Sequence, residues 1–362
     1  MIIEEGRARI SSDEFVFYNP KMKELRDISS LYVRVKAKKG MKLLDSTSAS
    51  GIRGIRYYLE TDKTVEPFFL DVNEHAYKNT LKNLKLCKIK AQVENLGIRE
   101  FCNTFKGKFD IIDFDPFGSA SPELFNLMRI LNDDGIIMVT ATDTAVLCGA
   151  HSNACIKSYS SVPLHNELCK EAGLRILIAY AARCAALFNI GIKPEVSISK
   201  MHYMRTFIQT KYGAEAAVSS LKQIGNGAFC SSCKRVYYEK GMASCTRKEC
   251  DKCNKELVRF GPVWLGDISD KSVIKEMVGI SADEKISQFL TLLMEELETP
   301  FFYSLPKLTR NLHLSSVSMK NVLALLKAEG DASATQFDSS GIKTALPVES
   351  VVRAVKQAVG ST

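Results

Sequence analysis

The chain has 362 residues, 46% of them hydrophobic and 25% charged, which is ordinary globular usage and room for roughly two or three domains of typical size. Its formal charge of +8 permits a nucleic-acid partner without requiring one, and no run approaches the roughly 20 apolar residues of a membrane span, since Leu174 to Ile192 is interrupted by Arg175 and Arg183. The start Met1-Ile2-Ile3-Glu4-Glu5 is unlike a signal peptide, and eleven cysteines scattered through both halves fit free thiols and metal ligands in a reducing cytoplasm better than a disulfide framework.

Residues 1–40 read as a mixed segment in which Phe17-Tyr18-Asn19-Pro20 leads into a helical pattern from Lys23 to Val33. From Lys42 to Tyr212, short apolar runs alternate with amphipathic stretches, the rhythm of a parallel sheet with crossover helices. The first strand, Met41 to Asp45, ends on an acid and is followed by the small residues Ser46 to Gly51 and then by a helix carrying Arg53 and Gly54. Acid, small-residue loop and helix are how such a sheet holds a nucleoside-bearing cofactor, although Gly51 and Gly54 fall short of a full Gly-x-Gly-x-x-Gly. The next strand, Phe68 to Leu70, places Asp71 before the helical stretch Asn73 to Leu86, where a carboxylate can accept hydrogen bonds from ribose hydroxyls.

The run Phe109 to Phe114 reads as a buried strand, and Asp115-Pro116-Phe117-Gly118 follows it at the end where ligands of α/β sheets sit. Asp115 can accept a hydrogen bond from an exocyclic amine, Pro116 fixes the turn, Phe117 offers a stacking face and Gly118 allows close approach. A plain Asp-Pro turn is the alternative for the tetrapeptide alone. The upstream loop and Asp71 point to S-adenosylmethionine in the crevice, with a methyl acceptor at Asp115. Gly135 to Thr140 is the following strand, then a long helical region from Leu164 to Phe188, then a hairpin of Val196 to Lys200 with Tyr203 to Lys211. Asp143 borders the pocket or caps the next segment, His202 and Arg205 read as surface or interdomain groups, and Cys148, His151 and Cys155 read as structural residues rather than metal ligands.

Cys230-x-x-Cys233, a gap of sixteen residues and Cys250-x-x-Cys253 form two knuckles with tetrahedral zinc spacing. Four cysteines leave no open coordination position, so the zinc is expected to be structural; Cys245 is a fifth thiol in the loop. Eight Lys or Arg against four acids in and around the knuckles make the ribbon a candidate phosphate-contacting surface. Beyond it, helices are expected at Ser272 to Val278, Asp283 to Glu298 and Pro306 to Leu312. Ser315 or Ser316 would cap another helix through Lys327, followed by a strand from Ala332, a turn at Gly341 and a helix from Val348. Helix, turn, helix, strand is similar to a winged helix-turn-helix, a module that binds nucleic acid in many proteins and serves packing alone in others.

Val16 to Met22, Arg26-Asp27, Gly51 to Arg56, Asp115 to Gly118, Thr140 to Ala145, Leu147 to His151, Gly261 to Gly266 and Gly341 to Thr344 together resemble the tRNA (guanine-26 N2)-dimethyltransferase family, of the compact archaeal kind, nearly end to end. The resemblance implies a Rossmann-like α/β methyltransferase sheet at 41–215, with residues 1–40 packed on it. A C-terminal α+β domain would span 216–362, with a zinc ribbon at 228–256 and a helical or winged-helix-like module at 270–362. It further implies that Arg26 and Arg53 contact the cofactor, the planar guanidinium matching its carboxylate, while Asp71 takes the ribose. Asp115 becomes the catalytic carboxylate, with Phe17 and Phe117 sandwiching the guanine, and Asp45 joins the cofactor-binding set. The family's Asp-Ala pair at the adenine falls on Gly97-Ile98 here, leaving the Ile98 backbone for the ring and the side-chain contact either missing or supplied by Glu94 or Asn95. The implied partner is tRNA, with no membrane and no protein partner. Methylation of adenine N6, or non-catalytic nucleic-acid binding through the zinc ribbon, are the alternatives.

Overall fold

The alternating runs between residues 42 and 212 form one seven-stranded sheet in the computed structural model, which describes residues 1–12, 14–241 and 247–360. Cys245 lies outside the described residues. An N-terminal hairpin, β1 (Ile2–Glu5) and β2 (Ala8–Ser11), precedes α1 (Lys23–Lys36). The sheet is then built from β3 (Lys42–Asp45), α2 (Ile52–Glu60), β4 (Glu66–Leu70), α3 (Glu74–Leu86), β5 (Gln92–Glu94), α4 (Ile98–Thr104) and β6 (Phe109–Phe114). It continues through α5 (Ser121–Met128), β7 (Leu131–Ala141), α6 (Thr144–Leu147), α7 (Ser152–Tyr159) and α8 (Cys169–Ala186) to the hairpin β8 (Ile190–Lys200) and β9 (Tyr203–Tyr212).

The strand order is β5-β4-β3-β6-β7-β9-β8, and β9 alone runs against the others. Succession reverses between β3 and β6, so a crevice opens at their carboxyl ends, the usual ligand position in an open α/β sheet. The sheet strands are buried on both faces, which is why they read as continuous apolar runs. On one face Leu124, Leu127, Leu174 and Leu177 pack against Phe68, Ile112, Phe114 and Val139. On the other, Leu25 and Ile28 of α1 lie with Ile111 and Met138.

The remainder of the chain is α9 (Ala214–Leu221), a three-stranded sheet of β10 (Ile224–Phe229), β11 (Val236–Lys240) and β12 (Val258–Trp264), then α10 (Lys271–Ile280) and α11 (Glu284–Glu295). A terminal module follows: β13 (Tyr303–Ser304), α12 (Leu305–Asn311), α13 (Met319–Lys327), β14 (Ala332–Ala334), β15 (Gly341–Thr344) and α14 (Val348–Gly360). Ser318 caps α13, two or three residues later than the sequence reading of Ser315 or Ser316. The terminal module has its own core around Leu305, Val322, Ile342 and Val355. Among the preceding elements the ribbon has only a small cluster of Ala228 and Leu257 with the cysteines, while Ile274 and Leu290 sit in the α1 face of the large sheet, and Phe229, Phe260 and Trp264 sit against α8. Each such side chain contributes about 1.5–3 kcal/mol on burial, so residues 216–300 and the large sheet stabilise one another.

Candidate active site

The crevice floor begins at the end of β3. Gly51 caps α2 at φ 75°, a left-handed conformation that glycine adopts freely, and lets the chain turn from the small-residue loop into the helix. Gly54, one turn on, packs so closely that a Cβ there would stand 2.4 Å from the Phe69 ring. Asp45 is buried, and one of its carboxylate oxygens accepts the Gly54 N–H at 3.0 Å. Burial, reinforced by Asp113, pushes the Asp45 carboxyl up to about 7.

The end of β6 carries two aspartates. Asp113 is fully buried, accepting from Arg205 Nη2 at 2.8 Å and from the Tyr57 hydroxyl at 2.5 Å. Arg205 is therefore a buried counter-charge beneath the crevice, not the surface or interdomain group its place near a hairpin turn predicts; Nη1 also bonds Thr140 at 2.6 Å. Asp115, two residues on, reaches the crevice mouth, where Arg53 Nη2 bonds its Oδ2 and its own N–H donates to Thr47 Oγ1 at 3.1 Å. Burial alone would raise its carboxyl, but Arg53, Arg205 and the Thr140 hydroxyl outweigh this and hold it below the usual range. Asp115 is consequently an ionised acceptor at neutral pH. Arg53 Nη1 is buried with no hydrogen-bond partner among the described residues, and Asp113 lies 4.0 Å from it.

The loop after Asp115 is clamped to the end of β7: Thr142 N–H donates to Gly118 O at 2.9 Å and Gly118 N–H to Thr142 Oγ1 at 2.8 Å. Asp143 accepts from the Tyr159 hydroxyl at 2.9 Å, and burial raises its carboxyl. Phe117 is 76% exposed and meets Phe17, 54% exposed, edge to face at 4.8 Å between centroids. The structure thus brings both predicted aromatics beside Asp115, in contact with each other rather than parted around a base.

Arg26 is held by partners within the protein. It is buried on α1 with Nε and Nη2 bonded to the Glu5 carboxylate at 2.7 and 2.5 Å, Nη1 to Asn19 O at 3.2 Å, and the Tyr18 ring 4.9 Å away. Glu5 also accepts from Arg56 Nη1 at 2.6 Å and from the Tyr18 hydroxyl at 2.9 Å. The arginines pull the Glu5 carboxyl down to about 2 against the opposing effect of burial. Sequence reasoning misses Glu5 because its strand is four residues long and its partners lie far along the chain.

Asp71 follows β4, and its two oxygens accept from Ala49 N at 2.8 Å and Asn73 N at 2.9 Å. Burial raises its carboxyl. Gly97 caps α4 in extended backbone and Ile98 is the first helical residue. Asn95 spends its amide on Asp71 O and Val72 O, at 2.9 and 3.0 Å, while Glu94 accepts from Gln92 at 2.8 Å. Nothing lies within 4 Å of the place a Cβ on Gly97 would occupy.

Away from the crevice, the sulfurs of Cys230, Cys233, Cys250 and Cys253 lie within 4.8 Å of one another, the closest pair at 3.4 Å. Thiolates about 2.3 Å from a tetrahedral zinc stand about 3.8 Å apart, so the donor set fits. Among the described residues this is the one group of three or more potential ligands so placed. Cys148, His151 and Cys155 form no such group among the described residues.

The N2,N2-dimethylguanosine tRNA methyltransferase family model matches residues 1–356. The chain is 34% identical to the tRNA (guanine(26)-N(2))-dimethyltransferase of Methanobrevibacter smithii, covering 96% of this chain and 93% of that one. It is 35% identical to the enzyme of the same description from Thermococcus kodakarensis, with 98% of each covered. Among solved structures, the Trm1 of Pyrococcus horikoshii in complex with S-adenosyl-L-methionine superposes with a TM-score of 0.89 at 32% identity, covering 98% of this chain and 99% of that one.

Proposed function

The chain belongs to the N2,N2-dimethylguanosine tRNA methyltransferase family, and from that membership we propose that it methylates the exocyclic N2 of guanine 26 in tRNA, giving N2,N2-dimethylguanosine. The observation that carries the reading is an ionised Asp115 at the mouth of a switch-point crevice, flanked by two exposed aromatic rings.

S-adenosylmethionine supplies the methyl group as an electrophile on its sulfonium. Arg53 and Arg26 would hold its carboxylate, Asp71 its ribose, and Asp45, Gly97 and Ile98 would line its remaining surface. The fit rests on Arg53 Nη1, a buried donor that an anionic carboxylate in the crevice would satisfy. A charge-assisted hydrogen bond of this kind contributes about 1.5–3 kcal/mol.

Asp115 accepts a hydrogen of the guanine amine and draws lone-pair density toward the methyl. It then holds the proton as the nitrogen becomes acidic, a role worth about 10²–10⁴ in rate. Arg53 fixes the carboxylate while the Phe17 and Phe117 rings orient the base, so positioning carries much of the remaining acceleration. Extracting the base from its stack costs a few kcal/mol, which stacking on the two rings offsets in part. Zinc at the four cysteines holds the ribbon in shape and takes no part in the chemistry. The ribbon is a tRNA-contacting surface in this reading, and the compartment is the cytoplasm.

Incubation with methyl-labelled cofactor and unmodified tRNA, followed by nucleoside mass spectrometry and position mapping, tests the proposal. Dimethylguanosine at position 26 is expected. Methyladenosine, or no product at all, defeats it.

A further inference from the structure

We infer that the lysine-bearing face of α3, entered through Phe15 and His75, is a tRNA-binding track continuous with the base pocket; the inference rests on the acceptor being tRNA. Residues 74–90 hold five lysines and one acid, Glu74, so this short stretch carries +4 of a chain total of +8. The helix buries Ala76, Asn79, Thr80, Asn83 and Leu84 and turns Lys78, Lys82 and Lys85 outward at i, i+4 and i+7. Lys88 and Lys90 prolong the exposed row through the following turn. Asn73 caps the start, its Oδ1 accepting from His75 N at 2.8 Å, which fixes the first turn against the crevice just past Asp71.

A basic helix face is often no more than a solvated one, and two further observations set this face apart. The first is pairing. Glu74 takes Lys78 at 2.5 Å, but Lys85, Lys88 and Lys90 have no acidic partner among the described residues. In the zinc ribbon half of the eight cations face acids, Lys234 pairing with Glu167, Arg235 and Lys252 with Glu349, and Arg247 with Asp251. A cation facing a carboxylate has part of its field cancelled, so Lys85, Lys88 and Lys90, which face none, present their charge to a phosphate undiminished.

The second is continuity with the pocket. Phe15, 70% exposed, packs on His75 in the first turn of α3 at 5.3 Å, and Phe17, two residues on, packs on Phe117. One short segment therefore ties the base clamp to the head of the lysine row. An exposed phenylalanine beside an imidazole offers a stacking platform that tolerates any base, placed where a nucleotide neighbouring the target would emerge. The 13-residue helix then extends about 20 Å, long enough for several successive phosphates.

The test measures binding of unmodified tRNA across a salt series. The variant K85Q/K88Q/K90Q is compared with K85R/K88R/K90R and wild type, with cofactor affinity as the control for fold. The glutamine variant should bind tRNA at least tenfold more weakly, with its salt slope reduced by about 0.7–0.9 for each phosphate left without its lysine. The arginine variant should bind as wild type does, and cofactor affinity should not change in either. Phe15→Ala should raise KM for tRNA several-fold with kcat and cofactor affinity retained. If wild type binds tRNA and the glutamine variant matches it in affinity and slope, the track is excluded while the proposed function stands. If wild type itself fails to bind or methylate tRNA, the function falls and the track with it.

Discussion

Asp115 and Arg53 constrain each other, and that pairing decides what a substitution at either would reveal. Replacing Asp115 by Asn keeps the shape but removes the charge that Arg53 Nη2 answers. Methyl transfer in single-turnover experiments should fall by about 10²–10⁴, while cofactor affinity by calorimetry should not weaken, because Arg53 is released toward the carboxylate it is proposed to bind. Substantial residual turnover would remove Asp115 from the chemistry. Asp45 gives a stability test. Its carboxyl titrates at about 7 in the fold against an ordinary value of 3.8, so the folded state binds the extra proton between those limits and stability is lost as pH rises through them. Asp45→Asn retains the acceptor for Gly54 without the charge. The variant's melting temperature relative to wild type should therefore climb steadily from pH 4 to 8, and a difference independent of pH would show that Asp45 is ionised throughout.

At the scale of elements, the parallel strands are the most legible part, because burial on both faces leaves an uninterrupted apolar run that a surface segment does not show. The cysteine knuckles are equally plain, since metal spacing is a local pattern. Arg205 is misread for the opposite reason: its partner Asp113 is 92 residues away, and no window of sequence joins them. The N-terminal hairpin escapes notice because four-residue strands carry too little alternation to register, yet Glu5 on β1 ties Arg26, Arg56 and Tyr18 together. Gly97 is visible only as a departure from the family pattern, and the structure adds that the space for a side chain there is open. For the ribbon, metal and local fold are inseparable in small cysteine sites, with apparent zinc affinities of about 10–16 kcal/mol. Cys250→Ser should release zinc by elemental analysis and lower tRNA affinity, while cofactor binding persists because the crevice is built from β3, β4 and β6. Undiminished tRNA binding by the metal-free variant would free the ribbon of any substrate role.

The whole molecule is joined by a buried ionic junction. Lys343 on β15 is fully buried with Nζ 3.1 Å from Glu171 of α8 and 3.0 Å from Glu296 at the end of α11. Glu171 also accepts from Arg175 Nε at 2.9 Å, and Arg175 Nη1 donates to the carbonyls of Trp264 and Gly266. Removing one member strands buried charges, so Lys343→Met should cost about 3–5 kcal/mol. Loss of fluorescence from Trp264, the chain's single tryptophan, should coincide on heating with loss of cofactor binding. Two separate transitions would mean that the β10–β12 sheet, which carries Trp264, unfolds apart from the large sheet. The contact between Phe17 and Phe117 carries a different consequence. Rings 4.8 Å apart and edge to face leave no slot for a base, whereas a sandwiched guanine needs faces about 7–8 Å apart. With these rings as the proposed base clamp, the free enzyme is shut to its own target. Prising the rings apart must draw on binding energy from parts of the acceptor remote from the reacting nitrogen. Guanosine alone, which brings none, should go unmethylated even at millimolar concentration: selectivity against the cell's pool of free nucleosides is then a property of the closed door rather than of the pocket behind it.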